Sequence, residues 1–120
     1  MSMEIDARVE INLKGIRRKA ENGHKAAQYA VDNQVLEDSN EYIPADQWIL
    51  ENSSISNSKI GDGELIWETP YARKLYYNPQ YNFSRDKNPK AQGLWFEAAK
   101  AQNKQDWVEI AQRAFAEGFK

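Results

Sequence analysis

Cysteine is absent from the 120 residues. That one absence excludes disulfides, thiol catalysis and cysteine metal sites together, and it fits folding in a reducing cytoplasm. There is a single histidine, His24, which leaves a histidine-based zinc site without its second ligand. No apolar run approaches the roughly 20 residues that cross a bilayer, so no membrane partner is expected. The opening residues, Met1 to Asp6, have neither a basic flank nor an apolar stretch, and do not read as a secretory signal. No serine sits in a G-x-S-x-G elbow, and no glycine run matches a phosphate cradle or a dinucleotide fingerprint. Glu64 and Glu68 sit four apart on an expected strand, hence on one face, and among charged neighbours they read as a solvated face. The chain is therefore expected to be no enzyme and to need no cofactor and no metal. Charge of one sign is also lacking: the net is −2, which gives no global drive toward nucleic acid or anionic lipid.

What is present suits one small domain spanning residues 1–120. Hydrophobic residues make up 41% and charged residues 28%, as in ordinary globular domains, and the length supports one core. Ile5, Ala7, Val9, Ile11 and Leu13 alternate with polar residues. Period two over this stretch predicts a strand with one wet face. Gly15 marks a break. From Ile16 the spacing turns helical, through Ala20, Gly23, Ala27, Ala30, Val31 and Val35. Most of these are small, so the helix axis can approach a neighbour closely. Asp38-Ser39-Asn40 reads as the helix end.

Beyond it, Pro44 biases Ile43 toward extended geometry, and Asp46 is placed to cap a short turn of helix from Gln47 to Glu51. Ser53 to Ile60 has Ile55 and Ile60 as its large apolar side chains and reads as a weak edge strand. Gly61-Asp62-Gly63 is a hairpin turn signal, with Glu64 to Glu68 as the return strand. Thr69-Pro70 opens a short helix in which Tyr71, Leu75 and Tyr76 share a face. Leu94, Trp95, Ala98, Ala99 and Ala101 suit one helix, Asn103 a break, and Trp107, Ile110, Ala111, Ala114 and Phe115 a second helix ending near Gly118. This order predicts an α+β fold: a small, mostly antiparallel sheet covered on one side by helices.

The densest signal is the stretch Trp67 to Ala101. It carries Trp67, Tyr71, Tyr76, Tyr77, Tyr81, Phe83, Trp95 and Phe96, yet its middle, Asn78 to Gln92, is polar and holds two of the four prolines. Aromatics strung along such a loop read as protein-contact residues. Arg73, Lys74, Arg85, Lys87 and Lys90 are interleaved with them. This basic cluster suits a solvated loop, an acidic protein surface or passive contact with DNA. Trp67, Trp107 and Phe115 sit at core spacing and read as packing. The residues expected to meet a partner are Tyr71, Arg73, Tyr76, Tyr77, Tyr81, Phe83, Arg85, Lys87, Trp95 and Phe96.

The wording of this stretch also resembles a known family. WETPYARKLYY, then a tyrosine-rich loop NFSRDKNP, then GLWFEAAKA opening a helix, is the order found in minor capsid, or tail completion, proteins of long-tailed bacteriophages. The resemblance covers roughly residues 42–120. One departure is that Tyr42-Ile43-Pro44-Ala45-Asp46 runs into Gln47-Trp48-Ile49-Leu50 without the glycine turn that the family often has. The resemblance implies a non-catalytic structural protein of the virion neck. It would join the head to the tail as a ring of identical subunits, with other neck, connector or tail proteins as partners. It also implies a location in the virion, and in the host cytoplasm during assembly. The alternative is a binding module whose aromatic-basic loop, residues 71–96, grips a carbohydrate or a peptide.

Overall fold

The computed structural model describes residues 13–44 and 47–120. Four helices follow one another: α1 (Lys14–Asn40), α2 (Gln47–Asn57), α3 (Ala72–Tyr76) and α4 (Trp95–Phe119). The two long ones pair with each other. Trp107 donates its indole N–H to Asp38 Oδ2 at 2.6 Å. Further along, Phe115 lies against Gly23, and Gly118 against Asn22 and Ala26. Rising numbers on α4 thus meet falling numbers on α1, so the pair is antiparallel, each helix about 40 Å long.

The expected sheet does not form. The chain is mainly helical, and among the described residues the only β pairing is an isolated bridge between Lys59 and Glu64. The edge strand placed at Ser53 to Ile60 is instead mostly the second half of α2. The physical reason lies in which face of that segment is inside. Leu50 and Ser54, one helical turn apart, are both buried, at 3% and 0% exposure, while Ile55 is exposed. Ser54 Oγ donates to Glu51 O and accepts from Asn40 Nδ2, so a serine fills the inward position. A helix that buries hydroxyls and shows isoleucines has no apolar period to read. The turn itself is where the sequence placed it. Gly61 and Gly63 adopt φ of 98° and 78°, a region that favours glycine. The return strand from Glu64 to Glu68 is irregular chain, so Glu64 and Glu68 do not share a strand face. The N-terminal strand expected over Ile5 to Leu13 lies outside the described residues except for Leu13.

Side chains rather than a β ladder hold that turn. Asp32, buried mid-α1, accepts the backbone N–H of Gly61 at 2.9 Å and of Gly63 at 2.8 Å through one oxygen. Its other oxygen accepts from Gln28 Nε2. Asn40, buried at the helix end, receives the Trp67 indole N–H at 2.8 Å. Two apolar clusters then form at the α1 C-terminal end. Ile43, Leu50, Ala72 and Trp95 make one, with Trp67, Leu75 and Tyr76 against it. Val35, Ala99 and Trp107 make the other, with Val31, Leu65 and Phe96 against it, and Tyr42 touches both.

The helix from Ile16 through Val35 and its end at Asn40 agree with the sequence reading, but α1 already runs through Gly15, read as a break, and Ile16 is exposed. The C-terminal third differs: α4 runs unbroken through Asn103, whose amide donates to Ala99 O within the helix. Of the residues expected in the core, Trp107 is buried, while Ala27, Val31, Ile110 and Phe115 are half-buried. Val9 and Ile11 lie outside the described residues.

The approach of α1 to α4 sets a test. A Cβ added at Gly118 would stand 2.6 Å from Asn22 O and 2.9 Å from Ala26 Cβ, whereas among the described residues nothing lies within 4 Å of one added at Gly15. Gly118→Ala gains up to about 1 kcal/mol of helix preference but meets an overpacking cost of about 1–3 kcal/mol, so it should destabilise. Gly15→Ala should be neutral or stabilising by up to about 1 kcal/mol. Urea midpoints moving in the same direction for both variants would contradict the close pairing.

Candidate functional site

The segment between α2 and α4 has little regular structure, so its backbone polar groups need individual partners. Asn88 supplies several. It is buried, and its amide donates to Glu41 O at 3.0 Å and Ile43 O at 2.9 Å, while its Oδ1 accepts from Lys90 N. Gln92 N donates to Tyr42 O, and Leu94 N to Tyr76 O. To make the last bond and open α4, Leu94 takes a left-handed conformation with φ of 48°, an arrangement that costs a non-glycine residue about 1–2 kcal/mol. Lys90 adds a 3.6 Å ion pair to Glu41 and lies 5.7 Å from the centre of the Tyr42 ring. The run 88–94 is thus stitched to the α1–α2 turn, while the run 78–87 starts with Pro79 packed at Gly93 and is otherwise mostly exposed.

The aromatics expected to meet a partner divide into two groups. Arg73, Tyr76, Tyr77, Trp95 and Phe96 come together around one open pocket of about 550 Å³, joined by Asp32, Val35, Leu65, Trp67 and Ala72. Trp67, Trp95, Tyr76 and Tyr77 form a chain of edge-to-face rings with centroids 5.9, 4.6 and 5.0 Å apart, a favoured geometry for aromatic pairs. Phe96 stacks on Trp107 instead. Trp95 is 1% exposed and its indole N–H has no acceptor, so its ring serves as the pocket's wall. Tyr77, at 65% exposure, stands at the rim. The Tyr76 hydroxyl donates to Glu97. Burial, and then that hydrogen bond, hold the phenol well above its ordinary ionisation range.

The second group lies outside the pocket. Tyr71 is 67% exposed beside α3. Tyr81 and Phe83 pair with each other at 6.3 Å on the run 78–87, followed by exposed Arg85 and Lys87. The structure therefore does not bring all ten residues onto one surface. Sequence reasoning missed Asn88, Asp32 and Asn40, whose roles are to hold irregular backbone. It also missed Leu65 and Val35 as pocket walls. Val35 had a legible signal in its helical stripe, while Leu65 was read as part of a strand.

Among the described residues no group of three or more His, Cys, Asp or Glu side chains is placed to hold a metal ion. No described helix is long and apolar enough to cross a membrane. The helical hairpin thus carries an aromatic pocket and, apart from it, an exposed aromatic-basic run. The model of the minor capsid protein family matches residues 7–115, so this chain belongs to the phage minor capsid protein family. That family is structural, and membership points to the virion and to other virion proteins as partners. No curated protein and no solved structure matches the chain.

The stitching by Asn88 can be tested with an isosteric change. Asn88→Asp replaces a double donor by a carboxylate facing two carbonyl oxygens. It should destabilise by on the order of 3 kcal/mol, more than Asn88→Ala, because a buried acceptor against acceptors is worse than a lost bond. Urea unfolding gives the ranking, and hydrogen exchange at Gln92 N should accelerate in both variants. Equal stability of Asn88→Asp and the parent would show that 88–94 is not held through this side chain.

Proposed function

We propose that the chain, as one domain over residues 1–120, is a non-catalytic joining protein of the virion neck. It links the head or its connector to the tail, as a ring of identical subunits. Family membership supports the virion setting. The observation that favours a joining role is the exposed run 78–87, followed by the anchoring Asn88 and carrying the Tyr81–Phe83 ring pair with exposed Arg85 and Lys87. Aromatic and arginine side chains on a fixed base are the usual anchors of an interface, since little ordering entropy opposes docking. Tyr71, Arg73 and Tyr77 extend the same aromatic-basic character toward α3. A neck subunit sits beside the DNA path, and Arg85 and Lys87 suit passive contact with phosphates. The chain would assemble in the host cytoplasm and remain in the particle.

The test is complementation of an infection lacking this protein with the combined Tyr81→Ala, Phe83→Ala, Arg85→Ala variant. These side chains do not belong to either apolar cluster, so the fold should change little. Filled heads and free tails should accumulate unjoined, with infectious yield down by on the order of a hundredfold or more, as expected when several interface anchors are lost. A normal yield would remove the run from the joining surface. Failure of the heads themselves would place the protein earlier, in capsid assembly, and end the joining reading.

A further inference from the structure

α2 is built inside out. Its inward side is Leu50 with the polar Ser54 and Asn57, and its outward side exposes Trp48 at 76%, Ile49 at 64% and Ile55 at 61%, with Asn52 between them. Its one ionisable residue is Glu51, three positions from Trp48 and therefore a neighbour of it on the helix surface. A tryptophan that far into solvent, on a helix face without lysine or arginine, is apolar surface awaiting cover.

The same chain carries a matching receptor. Trp48 is not among the residues around the aromatic pocket, so knob and pocket are separate features of one molecule. The pocket, about 550 Å³, is in the size range that accepts a drug-sized ligand and has room for an indole. Its walls include Leu65, Trp67, Tyr76 and Phe96, which suit an aromatic guest, and Arg73 lies at it with Lys74 in the adjoining cleft. The acid beside the knob and the bases beside the pocket are opposite in sign, and Asp32, the acid among the lining residues, is already engaged by Gln28, Gly61 and Gly63.

We propose that Trp48 of one copy seats in the aromatic pocket of a second copy, with Glu51 facing Arg73 and Lys74. Each copy gives a knob on one surface and receives one on another. Such a contact is head-to-tail, and it closes a ring where its rotation permits and otherwise continues as a filament. Seating one indole covers about 150–250 Å². A standard stable interface needs about 800 Å² per partner. A single contact is therefore weak, and the contact gains force from closure, in which every subunit is held twice. Closure rests on the ring reading above; the contact itself does not.

Because the chain lacks cysteine, introduced thiols report on this contact alone. One preparation carries Asn52→Cys, beside the knob, and another carries Lys74→Cys, beside the pocket. Mixed under mild oxidation, they should form a disulfide dimer well above the level that either forms alone. Adding Trp48→Ala to the Asn52→Cys chain should lower that yield at least tenfold. Adding Tyr77→Ala to the Lys74→Cys chain should lower it too. Adding Trp48→Ala to the Lys74→Cys chain should leave it unchanged, because that copy's knob is not used. All four sites are exposed, so each variant should fold. Dimers of Asn52→Cys alone at the mixed yield would mean a two-fold contact and overturn the proposal. So would an equal effect of Trp48→Ala on either chain, or no dimer at all. In assembled particles, cross-linking of Lys74→Cys to a different virion protein would give the pocket another occupant and overturn it as well. A ring imaged in particles without the mixed disulfide would sink the knob contact and leave the ring reading standing.

Discussion

The antiparallel pairing of α1 and α4 is the constraint on which the remaining structure depends. At one end it requires near-absence of side chains: Gly23 lies under the Phe115 ring, and Gly118 lies over the Asn22 carbonyl. At the other end it is fixed by size and polarity together, with Trp107 buried and its indole N–H bound to Asp38. Small contacts at one end and large at the other give the helix pair a polarity. The thick end has room for further chain, and both apolar clusters form there. Residues 41–94 are thereby gathered beside one end of a hairpin instead of along its length.

That gathering is achieved without a sheet, so its backbone is satisfied by individual side chains. Asp32 holds the glycine turn, Asn40 ties Trp67 to α2 through Ser54, and Asn88 ties the second irregular run to the α1–α2 turn. All three are buried, and each bridges segments far apart in sequence. Rings that meet edge to face around Trp95 leave an open pocket where aliphatic side chains would have closed it. The pocket is thus a by-product of holding irregular chain with aromatics, and it is available to a neighbour for the same reason.

The long helices were legible because their burial follows helical period. Gly23 and Ala26 on α1 meet Phe115 and Gly118 on α4, and Val31 and Val35 pack with Trp107, at helical spacing on both sides. Gly61-Asp62-Gly63 was legible because positive φ selects glycine. The sheet was misread at α2, where the outward residues are the apolar ones and the inward residues include Ser54 and Asn57. Local pattern there places apolar side chains outside, and periodicity assumes that apolar means inside. Asn103 looked like a break because asparagine competes for backbone bonds, yet inside a long packed helix its amide simply bonds one turn back. For the site, the aromatic-basic composition of 71–96 marked a region that the structure divides between the pocket and an exposed run. It did not reveal that Trp95 and Tyr76 turn inward while Tyr81 and Phe83 stay out, because that division is made by Asn88 and by the conformation of Leu94, neither of which has a periodic signature.

The same layout governs how the chain is made. The bond from Trp107 to Asp38 spans 69 residues, so α1 leaves the ribosome well before its partner exists. Contacts of that separation are slow to form, because a long loop must close first. An exposed helix of leucines would be sticky during the wait, but where the end of α4 covers it α1 presents the small or polar Asn22, Gly23, His24 and Ala26. A stripe of small residues is a poor substrate for nonspecific association, since little apolar area is gained by covering it. The feature that lets two helices lie close in the finished protein thus also keeps the first of them quiet while the second is being synthesised.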